Sequence, residues 1–446
     1  MQTDRYGNRA SGARAGAIDL FDQAIHAFNI YRGDPLALLD EAIDEAPEFA
    51  MAYIAKAHIF ATSSEPGALA EVRGLLHALE PLPLNERERS HADALRHVLN
   101  GDWSEAGVAL DYHNARYPRD IVAVQAGHLV DFLRGNARNL RDRLSRVLPH
   151  WSPQDPGHSI LLGMLAFGLE ETGDYARAEA EGRRALAAEP LDCWAHHAVA
   201  HVMEMQGRAE DGIGWMLARE PYWSGDDNLF KVHNWWHCAL FNLDLGNGAE
   251  ALALYDEAVR RDHSATALDM VDASALLWRL HLSDVDPGDR WQELASAWDQ
   301  HADGATYPFN DWHAVIAWLG AGRDADIDRD VAALRASAAG TGEVARWARE
   351  FALPLIEGFR AYWHGDYDSA VDRLYGTRYI ANAFGGSHAQ RDIIDWTLTE
   401  AALRGGNKRL GESLAYERAA LKPHSRINLD FVKRAQGDTP RDRRVA

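Results

Sequence analysis

Two pairs of glycines, Gly101 with Gly135 and Gly173 with Gly207, each stand 34 residues apart, and small and aromatic residues return in register around them. A unit of that length has room for two helices and their turns, and it buries its apolar face only by stacking on the next unit. Alanine, leucine, arginine and glutamate are frequent, alternation of the strand type is hard to find, and short loops carry Gly and Pro. These features point to an all-helical chain. Recurrent Ala and Gly have a steric purpose, because paired helices approach closely only where the side chain is small.

In "LGMLAFGLEETGDYARAEAEGRRALAAEP", Leu165, Ala166, Gly173, Tyr175, Ala178, Ala185 and Pro190 resemble the signature of a tetratricopeptide repeat. Trp103, Ala106 and Pro118 keep the register between Gly101 and Gly135. Further units are marked by Ala42, Pro47 and Ala57, by Ala239, Gly246, Ala251 and Ala258, and by Gly358, Gly365, Tyr367 and Ala370. Residues 263–335 and 388–425 keep the helix-pair rhythm with little of the signature. The expected architecture is all-α, a right-handed superhelical solenoid of antiparallel helix pairs forming one domain over 16–433. Residues 1–15 and 434–446 are expected to be flexible, and "SDVDPGDR" (283–290) and "AGTGEV" (339–344) are candidate breaks.

The 446 residues include 46 basic and 67 acidic side chains, a net charge of −21. That balance disfavours attraction to nucleic acid or anionic membranes, so neither is expected as a partner. Cys193 and Cys238 are too few for a disulfide framework and suit a reducing compartment, where each reads as a small buried residue. No signal-peptide core and no bilayer-length apolar run is visible, which makes a cytoplasmic location the expectation. P-loop, GxGxxG, GxSxG and CxxC patterns are absent.

Chemistry concentrates in "AHHAVAHVME" (195–204) and "KVHNWWHCALFNLDLG" (231–246). With Gly207 taken as the fifteenth residue of its unit, His197, His201 and Glu204 fall at positions five, nine and twelve, facing the concave side. His233 and His237 repeat the four-residue spacing on the next first helix. His196 lies a hundred degrees round from His197 and reads as a core histidine bonded to a backbone carbonyl. Histidines at i and i+4 form a metal half-site, so His197, His201, His233 and His237 are candidate ligands of a divalent metal such as zinc, with Glu204 behind them or acting as a base. Two other uses stay open: a polar network shared with water and Asn234, and metal-free acid–base catalysis by His201, His237 and Glu204. Trp194, Trp235 and Trp236 read as packing between units.

Later units add "YPFNDWHA" (307–314), with Asn310, Asp311 and His313, and "FGGSHAQRDIIDW" (384–396), with a flexible Gly-Gly before Ser387, His388, Gln390, Arg391 and Asp392. Asn, Asp and Ser there are expected helix caps. Arg391 would suit a carboxylate or phosphate of a ligand.

Together, "WAHHAVAHVMEMQGR", "HNWWHCALFNLDLG", "DMVDASALLWRL", "FNDWHA" and "GGSHAQRD" resemble the tetratricopeptide repeat protein 38 family, over about Leu20 to Leu421. The resemblance implies a divergent helical-repeat fold and carries no settled activity. The expectation is a pocket for a small polar ligand centred on His197, His201, Glu204, His233 and His237. Asn234, His313, His388 and Arg391 are expected to contribute to it, and an enzyme would use His201, Glu204 and His237. The alternative is a scaffold whose groove holds a protein or peptide, and a homodimer is compatible with either.

Overall fold

A computed structural model describes residues 2–437. Antiparallel helix pairs follow one another along the whole array, and the expected turn glycines supply the reversals. Gly101, Gly135, Gly173, Gly207, Gly246 and Gly365 all adopt positive φ, between 63° and 81°. Side chains with a Cβ resist that backbone region, which is why glycine marks these turns. The architecture is the tetratricopeptide-like stack of helix pairs that the repeat implies.

Burial divides each pair into an inner and an outer helix. Every residue of Cys193–Met205 is buried, whereas its partner Ala209–Trp223 buries only Ala209, Gly212, Met216 and Trp223. His158–Glu170, Lys231–Asp244, Ala267–Leu282 and Pro308–Ala321 are likewise buried around most of their circumference. A helix apolar on all sides belongs in the middle of a structure, and one with a single apolar stripe belongs on its surface. Close packing is set by glycine: a Cβ at Gly212 would run into the Phe241 ring, and one at Gly168 would strike the Leu140 backbone.

The inner layer closes on itself. The Tyr307 hydroxyl donates to the Leu133 carbonyl at 2.9 Å, Asn310 Nδ2 to Ser64 O at 2.8 Å, and the amide of Ala267 to Glu65 Oε1 at 2.7 Å. His388–Arg404 crosses the interior, where Trp278 Nε1 donates to Thr397 Oγ1 at 2.9 Å and Arg279 to the Ala389 carbonyl at 2.6 Å. The array's own helices therefore occupy the space that an open groove would leave.

Four local expectations need correction. Residues 2–14 are packed: Gln2–Thr3 pairs antiparallel with Arg9–Ala10, Tyr6 is buried against Trp151, and the Ser11 amide donates to Glu88 Oε1 at 2.8 Å. A hairpin this short has no periodicity to reveal it. Gly385 and Gly386 are buried rather than flexible, since a Cβ at Gly385 would collide with the Tyr307 hydroxyl and the Leu133 carbonyl. The segments 283–290 and 339–344 are turns between packed helices, not breaks. Of the tail expected at 434–446, residues 434–436 finish the helix Arg426–Gln436, and 438–446 lie outside the described residues. Among the described residues no helix is long and apolar enough to cross a membrane.

Gly135 and Gly173 separate turn strain from array closure. A Cβ at Gly135 would fall on the Asn382 carbonyl, whereas one at Gly173 meets nothing within 4 Å. Gly173→Ala should cost about 1–2 kcal/mol, the left-handed strain alone. Gly135→Ala should cost about 3 kcal/mol or more, because overpacking adds to that strain. Urea unfolding of the two variants checks the difference.

Candidate functional site

The helices Cys193–Met205 and Lys231–Asp244 run side by side in the inner layer, so their i, i+4 pairs meet. Ring centroids lie 4.3 Å apart for His197 and His201, 4.7 Å for His197 and His233, 4.6 Å for His201 and His237, and 4.9 Å for His233 and His237. One ring nitrogen of each histidine lies within 4.8 Å of one from each of the other three. Asp192 caps the first helix by accepting from the Ala195 amide at 3.0 Å, which sets where the His197 and His201 face begins. The rings are held flat against aromatic neighbours: Phe167 stacks on His197 and Trp236 on His233.

Carboxylates stand behind three of the four rings. His233 Nδ1 meets Asp272 Oδ2 at 2.7 Å, and His237 Nδ1 meets Glu204 Oε2 at 2.9 Å. His201 Nδ1 lies 3.6 Å from Glu170 Oε2. A carboxylate on Nδ1 fixes the proton there and leaves Nε2 as a bare donor. His233 Nε2 faces His197 Nε2 at 2.9 Å, a contact one shared proton can bridge. No hydrogen-bond partner reaches either nitrogen of His201, Nε2 of His237, Nδ1 of His197 or either oxygen of Glu170.

Electrostatics favour neutral rings at His197, His201 and His237. Burial, then the neighbouring imidazoles, hold His197 and His201 well below the ordinary histidine range. Burial also lowers His237, against the pull of Glu204. Burial opposes ionisation of Glu204 itself, but the Lys422 ammonium, 3.4 Å from Oε1, and His237 outweigh it and hold the carboxyl below its usual value. Glu170 goes the other way, pushed well above the carboxylate range by burial and then by Glu171 and Glu204.

A cavity of about 230 Å³ opens onto this cluster at His197 and His233. Its walls are mostly apolar, including Tyr31, Leu129, Phe132, Trp194, Phe230 and Leu268. Several expected contributors lie elsewhere. Asn234 Nδ2 donates to the Cys193 thiol at 3.0 Å. His313 is buried against Phe309 and Trp312, with Nδ1 donating to the Phe309 carbonyl of its own helix at 2.8 Å. His388 and Arg391 line a separate cleft of about 300 Å³ with Lys422 and Asp392. Arg391 has spent its charge within the chain, on Glu171 Oε2 at 3.2 Å and on the Gly386 carbonyl. His196 is a core residue, but its ring stacks on Trp215 instead of bonding a carbonyl, and Trp215 Nε1 donates to the His196 backbone oxygen.

Asp272, Glu170 and Lys422 are additions that spacing alone does not single out. Glu170 had a signal: it stands three residues before Gly173, as Glu204 does before Gly207. Lys422 arrives from the far end of the chain and had none.

A second histidine cluster differs in kind. His91 and His113 reach Asp120 Oδ2 at 2.9 and 3.1 Å, His58 meets His91 at 3.0 Å, and His113 meets Ser90 Oγ at 3.1 Å. The Arg87 guanidinium occupies the same Asp120 oxygen. This network is closed by hydrogen bonds and already holds a cation of its own.

Fold and site define a helical-repeat protein of the tetratricopeptide type with a buried histidine cluster. No family model matches the chain. Over 206 residues it is 28% identical to cellulose synthase operon protein C of Komagataeibacter sucrofermentans and 27% identical to that of Komagataeibacter xylinus, each match taking in 42% of this chain. The chain spans about 15% of the length of these curated relatives. Similar solved structures include the APC/C hetero-tetramer Cut9-Hcn1, at 13% identity and TM-score 0.43 over 97% of this chain and 78% of that one. The human IFIT1 dimer with m7Gppp-AAAA is 13% identical with TM-score 0.43, over 94% of both chains. Yeast Tom70 is 12% identical with TM-score 0.32, over 95% of both chains.

Burial of neutral histidines outside the four-ring cluster sets an acid limit on stability. Burial lowers His91 and His281 to about 4, and His128 and His313 to about 3. An unfolded histidine titrates near about 6.5, so below that pH the unfolded chain binds protons the fold refuses. The contribution of these histidines to stability is full above that value and is lost with acidification by up to about 1.4 kcal/mol per pH unit for each such group. Buried acids with raised pKa, Glu170 and Asp192 among them, act in the opposite sense, so the histidine part is read from urea midpoints of wild type against a variant. His128, wedged among Phe132's neighbours Phe167 and Trp194 with neither nitrogen bonded, offers a control: His128→Leu should make the slope shallower by about one proton.

Proposed function

We propose that this chain is a helical-repeat metal protein in which His197, His201, His233 and His237 hold a divalent cation and present it to a small molecule in the adjoining cavity. The carrying observation is the convergence of four buried ring nitrogens within 4.8 Å while several nitrogens of the same rings lack any hydrogen-bond partner. A pure polar network would satisfy its imidazoles, as the cluster around Asp120 does for His91 and His113. Neutral imidazoles are the form that ligates metal, and an all-imidazole set suits zinc, copper, nickel or iron, with zinc the first choice. Asp272 and Glu204 fit as the outer partners that orient ligand rings and balance the charge of a dication. In this reading His201 and His237 are ligands, Glu204 is a positioning residue acting through His237, and a cation held there would supply Lewis-acid chemistry by accepting a further, fifth ligand from the bound molecule.

Membership of the tetratricopeptide repeat protein 38 family is part of the proposal. The segments 194–208, 233–246 and 269–280 that carry the resemblance supply His197, His201, Glu204, His233, His237 and Asp272. A peptide scaffold is the weaker reading, because His388–Arg404 crosses the interior where an extended peptide would run.

Elemental analysis of untagged protein, reconstituted with zinc and dialysed, tests the reading. Wild type should retain about one equivalent per chain, and the His201→Ala, His237→Ala double variant none. Asp272→Asn should keep the fold by circular dichroism and weaken zinc affinity about 10–100-fold. A folded wild type that retains no zinc, copper, nickel or iron overturns the proposal.

A further inference from the structure

The cavity beside the histidines states what it accepts. Aromatic rings form one corner of it: Tyr31 stacks on Trp194 at 5.5 Å, and Phe230 lies 5.1 Å from Tyr31 and 5.5 Å from Trp194. Leu129, Phe132 and Leu268 continue the apolar wall. An apolar cavity of about 150 Å³ is enough to hold benzene. The 230 Å³ here leaves room for a second ring.

Charge is missing from the walls in a specific way. Glu65 is the charged residue of the lining, and both of its oxygens are taken, Oε1 by the Ala267 amide and Oε2 by His301 Nδ1, each at 2.7 Å. No lysine or arginine is among the lining residues, so along these walls, away from the histidine end, an anionic group would find no partner. Two hydroxyls at the edge are spent, Thr62 donating to the His58 carbonyl and Ser63 to the Phe60 carbonyl, and those of Tyr31, Ser64, Thr266 and Ser387 are further uncharged polar groups of the lining. Polar capacity is left at the histidine end, where His197 Nδ1 is without a partner. His197 is also the one ring of the four with no carboxylate behind it on the hydrogen-bond and ion-pair contacts of the cluster.

We infer that the occupant is a neutral, largely apolar molecule of about two rings carrying a single hydroxyl or carbonyl head, which it directs at His197 and His233. This sharpens the expectation of a small polar ligand, and it rests on the metal reading only for what the head meets. A peptide is disfavoured by the same walls, since each residue would bring an amide and a carbonyl with nothing to bond. Leu229, 53% exposed on the lining, marks the mouth through which the molecule enters.

Isothermal titration with 2-naphthol and 2-naphthoate tests the inference, using full-length protein both zinc-reconstituted and chelator-treated. 2-Naphthol should bind chelator-treated wild type at least about tenfold more tightly than 2-naphthoate, the penalty for an unpaired carboxylate in an apolar site. Leu268→Trp, which fills the cavity, should weaken 2-naphthol by at least about tenfold. Leu129→Phe fills the same space from another helix and serves if the first variant fails to melt cooperatively. Equal or tighter binding of 2-naphthoate by chelator-treated protein, or undiminished 2-naphthol binding in a folded filling variant, overturns the inference. 2-Naphthol binding by protein that retains no metal after zinc reconstitution and dialysis sustains this ligand class while sinking the metal centre. Metal retention without 2-naphthol binding does the reverse.

Discussion

Closure of the helical array on itself is the constraint from which the site follows. Because His388–Arg404 and the segments around Ser64 and Leu133 pack across the interior, Cys193–Met205 loses every solvent-facing side and its neighbouring first helices lose most of theirs. Any polar group on them must then find a partner inside the protein or remain costly. Asp272 and Glu204 meet that demand for His233 and His237, and Lys422 meets it for Glu204. His201 and Glu170 stay without a hydrogen-bond partner, so the residual demand gathers in and beside the four-ring cluster.

Repetition makes such a point easy to build. Equivalent first helices present the same face in consecutive units, so a pair of histidines one turn apart needs only a similar pair in the next unit to become a four-sided cluster. Glu170 and Glu204, at matching positions before their turn glycines, show the same device supplying carboxylates. The contrast with the Asp120 cluster is instructive. There Arg87 provides the positive charge on Asp120, while among the described residues no guanidinium or ammonium is hydrogen-bonded to the rings of the four-histidine cluster.

Much of this was legible beforehand. The turn glycines predicted at 101, 135, 173, 207, 246 and 365 all have positive φ, and the repeat numbering placed His197, His201, His233 and His237 on neighbouring faces. Other features left no local trace. Arg391 reads as a free charge in the sequence and is spent on Glu171, 220 residues away; the Gly-Gly at 385–386 reads as slack and is a close contact with Tyr307. Residues 2–14 read as loose because a short hairpin held by one buried tyrosine has no period.

By itself the sequence determined whatever depends on spacing along a helix or on the turn between helices: the all-helical repeat, the reversals, and which histidines share a face. Steric rules and the 3.6-residue turn act over a few residues, so they are written locally. Tertiary structure alone decided the partners: Asp272 behind His233, Lys422 beside Glu204, and an apolar cavity assembled from segments as distant as Tyr31, Leu129, Trp194 and Leu268. Those depend on how far the array curls before it meets itself, a sum of small rotations over many repeats that no single segment records.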